Sequence, residues 1–497
     1  MKRLSLLAAT LAVFSCTLEE EVFSGIERFD YRVVVDGQEY RPVDETETGI
    51  MVFVPYGTDM SKVVAKFNDR DVTVTVGGTI QESGVTANDF QDYSKGVNYL
   101  IESTDSTSKT LNIKVLDTKL PVLAITTRIS GSIMDRKTWR EATLRVRAAD
   151  GRVDKGSFTY IRGRGNWTWE KYPKKPYALK LGKKQELLGM PAHKRWALLA
   201  LYQGCIGNAL AFEATRRAPS LGWAPRGCFV ELVLNGKFQG IYYLCEQIKI
   251  DRNRVNITSL KETDVNYPEV SGGYLLEYDE LYDEDYKFRS SKFSLPVQLK
   301  APNDNVPDAQ FNYIKGFIND MEAEIKKIGT SQESHYADYM DIESFAEYWF
   351  VLETVNNYEA YKPRSVKMYK GRDGVDSPKG TVCKLKAGPL WDQEWFLVQK
   401  QFNSKDMYYY HYLFQDPAFV SMVKSRWPSY RDSILGKGDD PGFLEYLNDI
   451  VDLIRHSANR DTQLWDNPNF TLQSETERVM NGFVSKITWM DQQIQNL

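Results

Sequence analysis

The feature that most constrains this chain is a change of apolar spacing near residue 305. Before it, apolar residues sit mostly in short runs broken by turn residues, the pattern of strands. From about residue 309 they recur at helical spacing, as at Ile314, Phe317, Ile318, Met321 and Ile325. The chain therefore reads as an α+β protein. Its 497 residues are too many for one ordinary domain, so two or three are expected.

The N-terminus carries its own signal. Met1, Lys2 and Arg3 are followed by an apolar run, 4–14, too short to span a bilayer. It ends Val13-Phe14-Ser15-Cys16, which resembles a bacterial lipoprotein signal. That resemblance implies cleavage before Cys16, lipidation of Cys16 and a membrane anchor. The acidic stretch Thr17-Leu18-Glu19-Glu20-Glu21 lies in a tether, 17–26, and looks like the export tails of Bacteroidetes surface lipoproteins. Outer membrane or cell-surface location is the expectation. The net charge of −4 gives no electrostatic case for nucleic acid.

Residues 27–118 read as short strands at roughly ten-residue spacing, a small β-sandwich of Ig-like type. A second unit starts near residue 120. Its clearest element is the hairpin 229–246, turned by Asn235-Gly236, the pair favoured in two-residue type I′ turns. Cys228 and Cys245 flank it; a bridge between them is conceivable in an oxidising compartment, and buried free thiols are the default. Beyond Trp395 the segments 418–427, 442–457 and 475–494 read as helices.

The candidate chemistry centres on 387–395. There Trp391 and Trp395 bracket Asp392 and Glu394, acids costly to desolvate unless paired. A second acidic element, Asn357-Tyr358-Glu359, lies upstream and leads through Ser365 into a strand. A loop with Arg162, Gly163, Arg164 and Gly165 precedes an alternating strand bearing Lys180. Glycines allow close backbone approach to phosphate oxygens, and Arg and Lys neutralise them. A lone G-x-G is weak, and taken in isolation a tight hairpin with solvated basic residues explains it better. Glu246 and Glu277 close two further strands. Zincin and nucleophile-elbow motifs are absent, and His193, His335, His411 and His456 are scattered.

Taken in order, Arg162-Gly163-x-Gly165-Asn166, Tyr172-Pro173-Lys174-Lys175-Pro176-Tyr177, the Asn235-Gly236 hairpin ending in Glu246, Gly272-Gly273-Tyr274-Leu275-Leu276-Glu277, Asn357-x-Glu359 and Pro389-Leu390-Trp391-Asp392 resemble the spore coat protein H (CotH) kinase family. The resemblance covers roughly 120–490. It implies an atypical protein-kinase-like domain, 120–497, with a sheet-rich lobe at about 120–305 and a helical lobe at about 306–497. It implies ATP with Mg or Mn, and phosphoryl transfer to hydroxyls of an acceptor protein. Asp392, Glu359 and Ser365 would then hold metal, with Asp392 and Glu359 catalytic. Arg162, Arg164, Lys180 and Trp391 would bind nucleotide, with Glu246 or Glu277 orienting Lys180. The commoner family pattern has Asp at Glu359 and Asn at Ser365. The competing reading is a non-catalytic surface lipoprotein that keeps this fold to bind a protein or glycan.

Overall fold

The structure is a computed structural model that describes residues 26, 29–129, 131–356, 358, 360–437 and 441–497. Cys16, most of the tether, Asn357 and Glu359 lie outside the described residues. The chain divides into two compact units, 1–117 and 118–497.

The first unit holds two antiparallel sheets. One orders Gln38–Tyr40, Arg32–Val35, Val63–Lys66 and Ala87–Asn88. The other orders Pro42–Glu45, Gly49–Pro55, Ser108–Thr118, Val97–Ser103, Val72–Val76 and Thr79–Ile80. Alternate residues of both feed one core, Val33 and Ala65 from the first, Val52, Val54, Ile101 and Ile113 from the second. This sheet-rich unit fits a β-sandwich.

The second unit begins with a closed seven-stranded barrel. Round the ring run Val122–Thr127, Arg140–Arg147, Ser157–Gly163, Tyr177–Leu187, Met190–Ala200, Lys237–Glu246 and Gly227–Leu234. The parallel pairing of the first with the last closes it. Alternation decides which side chains fill it. Leu179, Trp196, Leu198, Leu232 and Leu244 point in, each worth ~1.5–3 kcal/mol by burial. Ala197, Leu199, Tyr243 and Cys245 point out into a second core shared with the helices. Asn235 and Gly236 take positive φ of 49° and 73°, as the hairpin turn requires. Cys228 pairs in register with Leu244 and Cys245 with Gly227, so the two thiols face opposite sides of the sheet. Both are free.

The expected lobe boundary near 305 does not hold. Tyr274–Tyr278, Lys287–Arg289 and Pro296–Ala301 stay out of the barrel and join Val366–Lys370 and Lys386–Ala387 in a separate five-stranded sheet. Sheet and helix are therefore interleaved across that position. One face of this sheet, with Tyr274, Leu276, Tyr278, Val366 and Met368, packs on the helices Asp308–Ile325 and Ile342–Val355. The Asp341 side chain caps the latter by accepting from the Ser344 N–H. The other face carries Leu275, Glu277, Lys367 and Tyr369. Pro417–Leu435, Phe443–Leu464 and Leu472–Gln495 complete the helical part. Among the described residues no helix is long and apolar enough to cross a membrane.

Candidate functional site

The segment 387–395 leaves the short strand Lys386–Ala387 and runs against the N-terminus of the helix Gly207–Arg216. The Gln393 N–H donates to Asn208 Oδ1 at 3.1 Å. The Glu394 carbonyl sits so close to Gly207 that a Cβ there would lie 2.0 Å from it, which excludes any other residue. Trp391 stacks on Phe212 of the same helix at 5.8 Å and 30°, and the Arg164 guanidinium lies over the Trp391 ring at 5.5 Å. These contacts fix both neighbours of Asp392 and leave its side chain exposed, with the backbone at φ 63°. Positive φ is uncommon outside glycine, and Asp tolerates it better than most.

Asp392 faces Ser365, whose hydroxyl donates to its Oδ2 at 3.4 Å. The Ser365 N–H donates in turn to Asp279 Oδ2 at 3.0 Å. Asp279 follows the strand Tyr274–Tyr278, so segments from three places in the chain bring two carboxylates to one serine, one on its N–H and one on its hydroxyl. Burial raises the Asp279 pKa, and the negative charges of Asp283 and Asp392 add to the rise.

Beside these acids lies a run of cations, on and against the buried second face of the five-stranded sheet. Glu277 and Lys367 are directly opposed across two strands and form a buried ion pair. Lys300 reaches the other Glu277 oxygen at 3.0 Å. Burial pushes the Lys367 ammonium down to about 7; Asp392 pulls it up, and Lys249 and Arg164 push it further down. Burial likewise lowers Lys249 to about 8, with Lys300, Arg195 and Arg254 adding like charge and Glu284 opposing. Among the described residues no carboxylate comes within ion-pair distance of Lys249. An array of ammonium and guanidinium groups with fewer carboxylates than charges, next to a pair of acids, is the electrostatic form of a phosphate-and-metal site.

The residues expected from sequence divide into two groups. Asp392, Ser365, Trp391, Arg164 and Glu277 come together here. Arg162, Lys180 and Glu246 are otherwise engaged. Arg162 lies over Trp139 at 4.6 Å and donates from Nη1 to the Arg136 carbonyl at 2.7 Å. The Lys180 ammonium lies over the Tyr160 ring at 5.3 Å. Glu246 is buried and ion-paired with Arg226 at 2.9 Å and Arg254 at 3.6 Å, so it does not orient Lys180. Glu277 is held by Lys367 and Lys300 instead. The glycine loop also has a packing role. A Cβ on Gly163 would lie 2.4 Å from the Trp169 ring, and the Arg164 N–H is used by the Pro176 carbonyl. Glu394 accepts from the Tyr172 hydroxyl at 3.1 Å and from the Gln203 N–H at 3.4 Å. Burial and then Asp392 raise its pKa to about 8.

Sequence reasoning missed Lys249, Lys300, Lys367 and Asp279. Asp279 carried a signal, an acid just past a strand end. The lysines carried none that separates them from ordinary solvated charges.

Among the described residues no three His, Cys, Asp or Glu side chains gather in a metal-holding group. Two carboxylates and a hydroxyl nevertheless fit Mg²⁺, which is commonly held by one or two carboxylates, substrate phosphates and water.

The family model for CotH kinase protein matches residues 161–492. No curated protein matches the chain. Among solved structures, the crystal structure of a presumptive glycoside hydrolase from Bacteroides thetaiotaomicron is similar at 16% identity, covering 36% of this chain and 71% of that one, with a TM-score of 0.19. A likeness of that size carries no argument about this fold.

Proposed function

This chain belongs to the CotH kinase protein family, and we propose that it is a phosphotransferase that binds ATP with Mg²⁺ or Mn²⁺ and phosphorylates Ser or Thr hydroxyls of a protein. One observation carries the reading. The acids Asp279 and Asp392, joined through Ser365, adjoin the cations Lys367, Lys249 and Arg164. Phosphoryl transfer asks little covalent chemistry of a protein; it asks for held phosphates and a placed acid.

In this reading Asp392, Asp279 and the Ser365 hydroxyl would hold the metal. The bound ion would supply positive charge to the phosphate oxygens. Lys367 and Lys249 neutralise the remaining phosphate charge, and their like-charge neighbours mean that an anion relieves repulsion on arrival. Arg164, held over Trp391, offers planar donors to the same anion. Glu359 is the candidate for orienting or deprotonating the acceptor hydroxyl, a role that rests on the Asn357-x-Glu359 motif alone. Cys16 would carry the lipid that anchors the protein at the outer membrane or cell surface. Nucleotide titration with and without Mg²⁺ or Mn²⁺, followed by transfer of labelled γ-phosphate to a Ser/Thr protein, tests this reading. No nucleotide binding in either condition would sink it.

A further inference from the structure

The segment that carries Asp392 is gripped on its C-terminal side by one face of the helix Leu472–Gln495. Positions 475, 478, 482 and 486 recur at spacings of three and four, with 483 beside them, so they share that face. The Phe396 ring packs against Phe483, with centroids 6.2 Å apart. Arg478 donates to the Phe396 carbonyl at 3.2 Å, and Lys486 donates to the Leu397 carbonyl at 3.2 Å. A Cβ on Gly482 would lie 2.7 Å from the Val398 side chain, so glycine is what lets the helix come this close. Three successive residues, 396–398, are thus held by one helix.

The same helix also supports the seat of Gln393 and Glu394. The buried Glu475 carboxyl accepts from the Cys205 N–H at 2.7 Å and the Ile206 N–H at 3.4 Å. Those two residues lead directly into Gly207, against which the Glu394 carbonyl packs, and Asn208, which accepts from the Gln393 N–H. Lys486 donates to the Thr354 carbonyl as well, at 3.1 Å, and the Leu397 N–H donates to the Val355 carbonyl at 2.9 Å. The Asp392 side chain is exposed and receives a hydrogen bond from Ser365. Its place is therefore set by how the backbone on either side of it is held.

We propose that Glu475 and Arg478 are positioning residues for Asp392, acting through the backbone of residues 393–398 and touching neither nucleotide nor metal. The inference rests on the phosphotransfer reading and adds to it the remote residues that set the metal ligand. Loss of groups that orient a metal ligand typically costs about 10–100-fold in metal affinity.

Arg478 is exposed, so Arg478→Met removes the donor, keeps an apolar stem and is expected to fold with a Tm near that of wild type. Hydrogen exchange of the amides of 393–398, Leu397 among them, is expected to rise about tenfold, with the barrel amides unchanged. At fixed nucleotide, the Mg²⁺ concentration for half-maximal binding is expected to rise about tenfold, and Arg478→Lys is expected to recover part of the loss. Glu475→Gln keeps an acceptor for the Cys205 and Ile206 N–H groups and is expected to stay within about twofold of wild type. Glu475→Leu removes that acceptor and is expected to raise the Mg²⁺ midpoint about tenfold or more; should it fail to fold, Arg478→Met still decides. Unchanged exchange in Arg478→Met, or faster exchange with an unchanged Mg²⁺ midpoint, overturns the proposal. Wild type that binds no nucleotide overturns it too and takes the phosphotransfer reading with it, so the wild-type titration tells the two failures apart.

Discussion

The Ser365 hydroxyl donates to Asp392 Oδ2 while the Ser365 N–H donates to Asp279, so one residue ties together two carboxylates from distant parts of the chain. Ser365 holds a left-handed backbone, φ 54°. Asn accepts that conformation more readily than Ser and brings a carbonyl oxygen as a metal ligand. Ser365→Asn is therefore expected to fold with unchanged or slightly higher stability, and to strengthen Mg²⁺-dependent nucleotide binding. Paired thermal melts and titrations would check both halves.

Lys249 presents the opposite balance. Its ammonium is surrounded by Lys300, Arg195 and Arg254 and has no ion-pair partner among the described residues. Lys249→Met should raise stability, by about 1–3 kcal/mol in chemical denaturation, because it removes a charge that burial disfavours. The same variant should weaken nucleotide binding about tenfold or more. A stabilised protein with unimpaired binding would remove Lys249 from the site.

The family motif lysine Lys174 belongs to stability rather than chemistry. Its ammonium lies 2.7 and 2.8 Å from the two Asp461 oxygens, wholly buried between the barrel and the helix Phe443–Leu464. Asp461 also accepts from the Ile241 N–H at 3.0 Å. Lys174→Ala leaves a buried carboxylate unpaired and is expected to cost about 3–5 kcal/mol. Gly240 is bound to the same contact, since a Cβ there would lie 1.9 Å from Asp461 Oδ1 and φ is 82°. Gly240→Ala should be strongly destabilising as well, measured as a lowered Tm.

Stability should also fall as pH rises. Burial raises the Glu475 carboxyl from an ordinary 4.5 to about 7, although it accepts from the Cys205 N–H at 2.7 Å. Below about pH 4.5 the group is protonated in both folded and unfolded chains. Above that the unfolded chain ionises first, so stability drops until about pH 7 and is then constant, a loss of about 3 kcal/mol from this group. Glu394 adds a loss of the same sign that extends to about pH 8. Glu475→Gln, neutral throughout, should flatten the lower part of the curve of Tm against pH.

What could be read from residues alone followed the range of the interactions. The Asn235-Gly236 hairpin and the Asp341-capped helix are local, and their turn and cap chemistry is written in adjacent residues. The five-stranded sheet is not local. Glu277 and Lys367 face each other across ninety positions of sequence, and no spacing marks strands that pair after two intervening helices. The cation array depends on that pairing, so Lys367 and Lys300 resemble solvated charges until the strands are aligned. The glycine loop is ambiguous for a related reason. Gly163 is glycine because Trp169 packs on it, and a tight approach by a ring leaves the same trace as one by a phosphate.

The central claim is a metal-dependent nucleotide site built on Asp392. Its most direct test is calorimetric titration of a non-hydrolysable ATP analogue into wild type and Asp392→Ala, each with Mg²⁺ and with EDTA. The account predicts binding in wild type that depends on Mg²⁺ and disappears in the variant, with the variant still folded and its melting temperature only slightly lowered, since the Asp392 side chain is exposed and Ala is less at ease at its φ of 63°. Binding of equal strength in both proteins, or none in wild type with Mg²⁺, would contradict it.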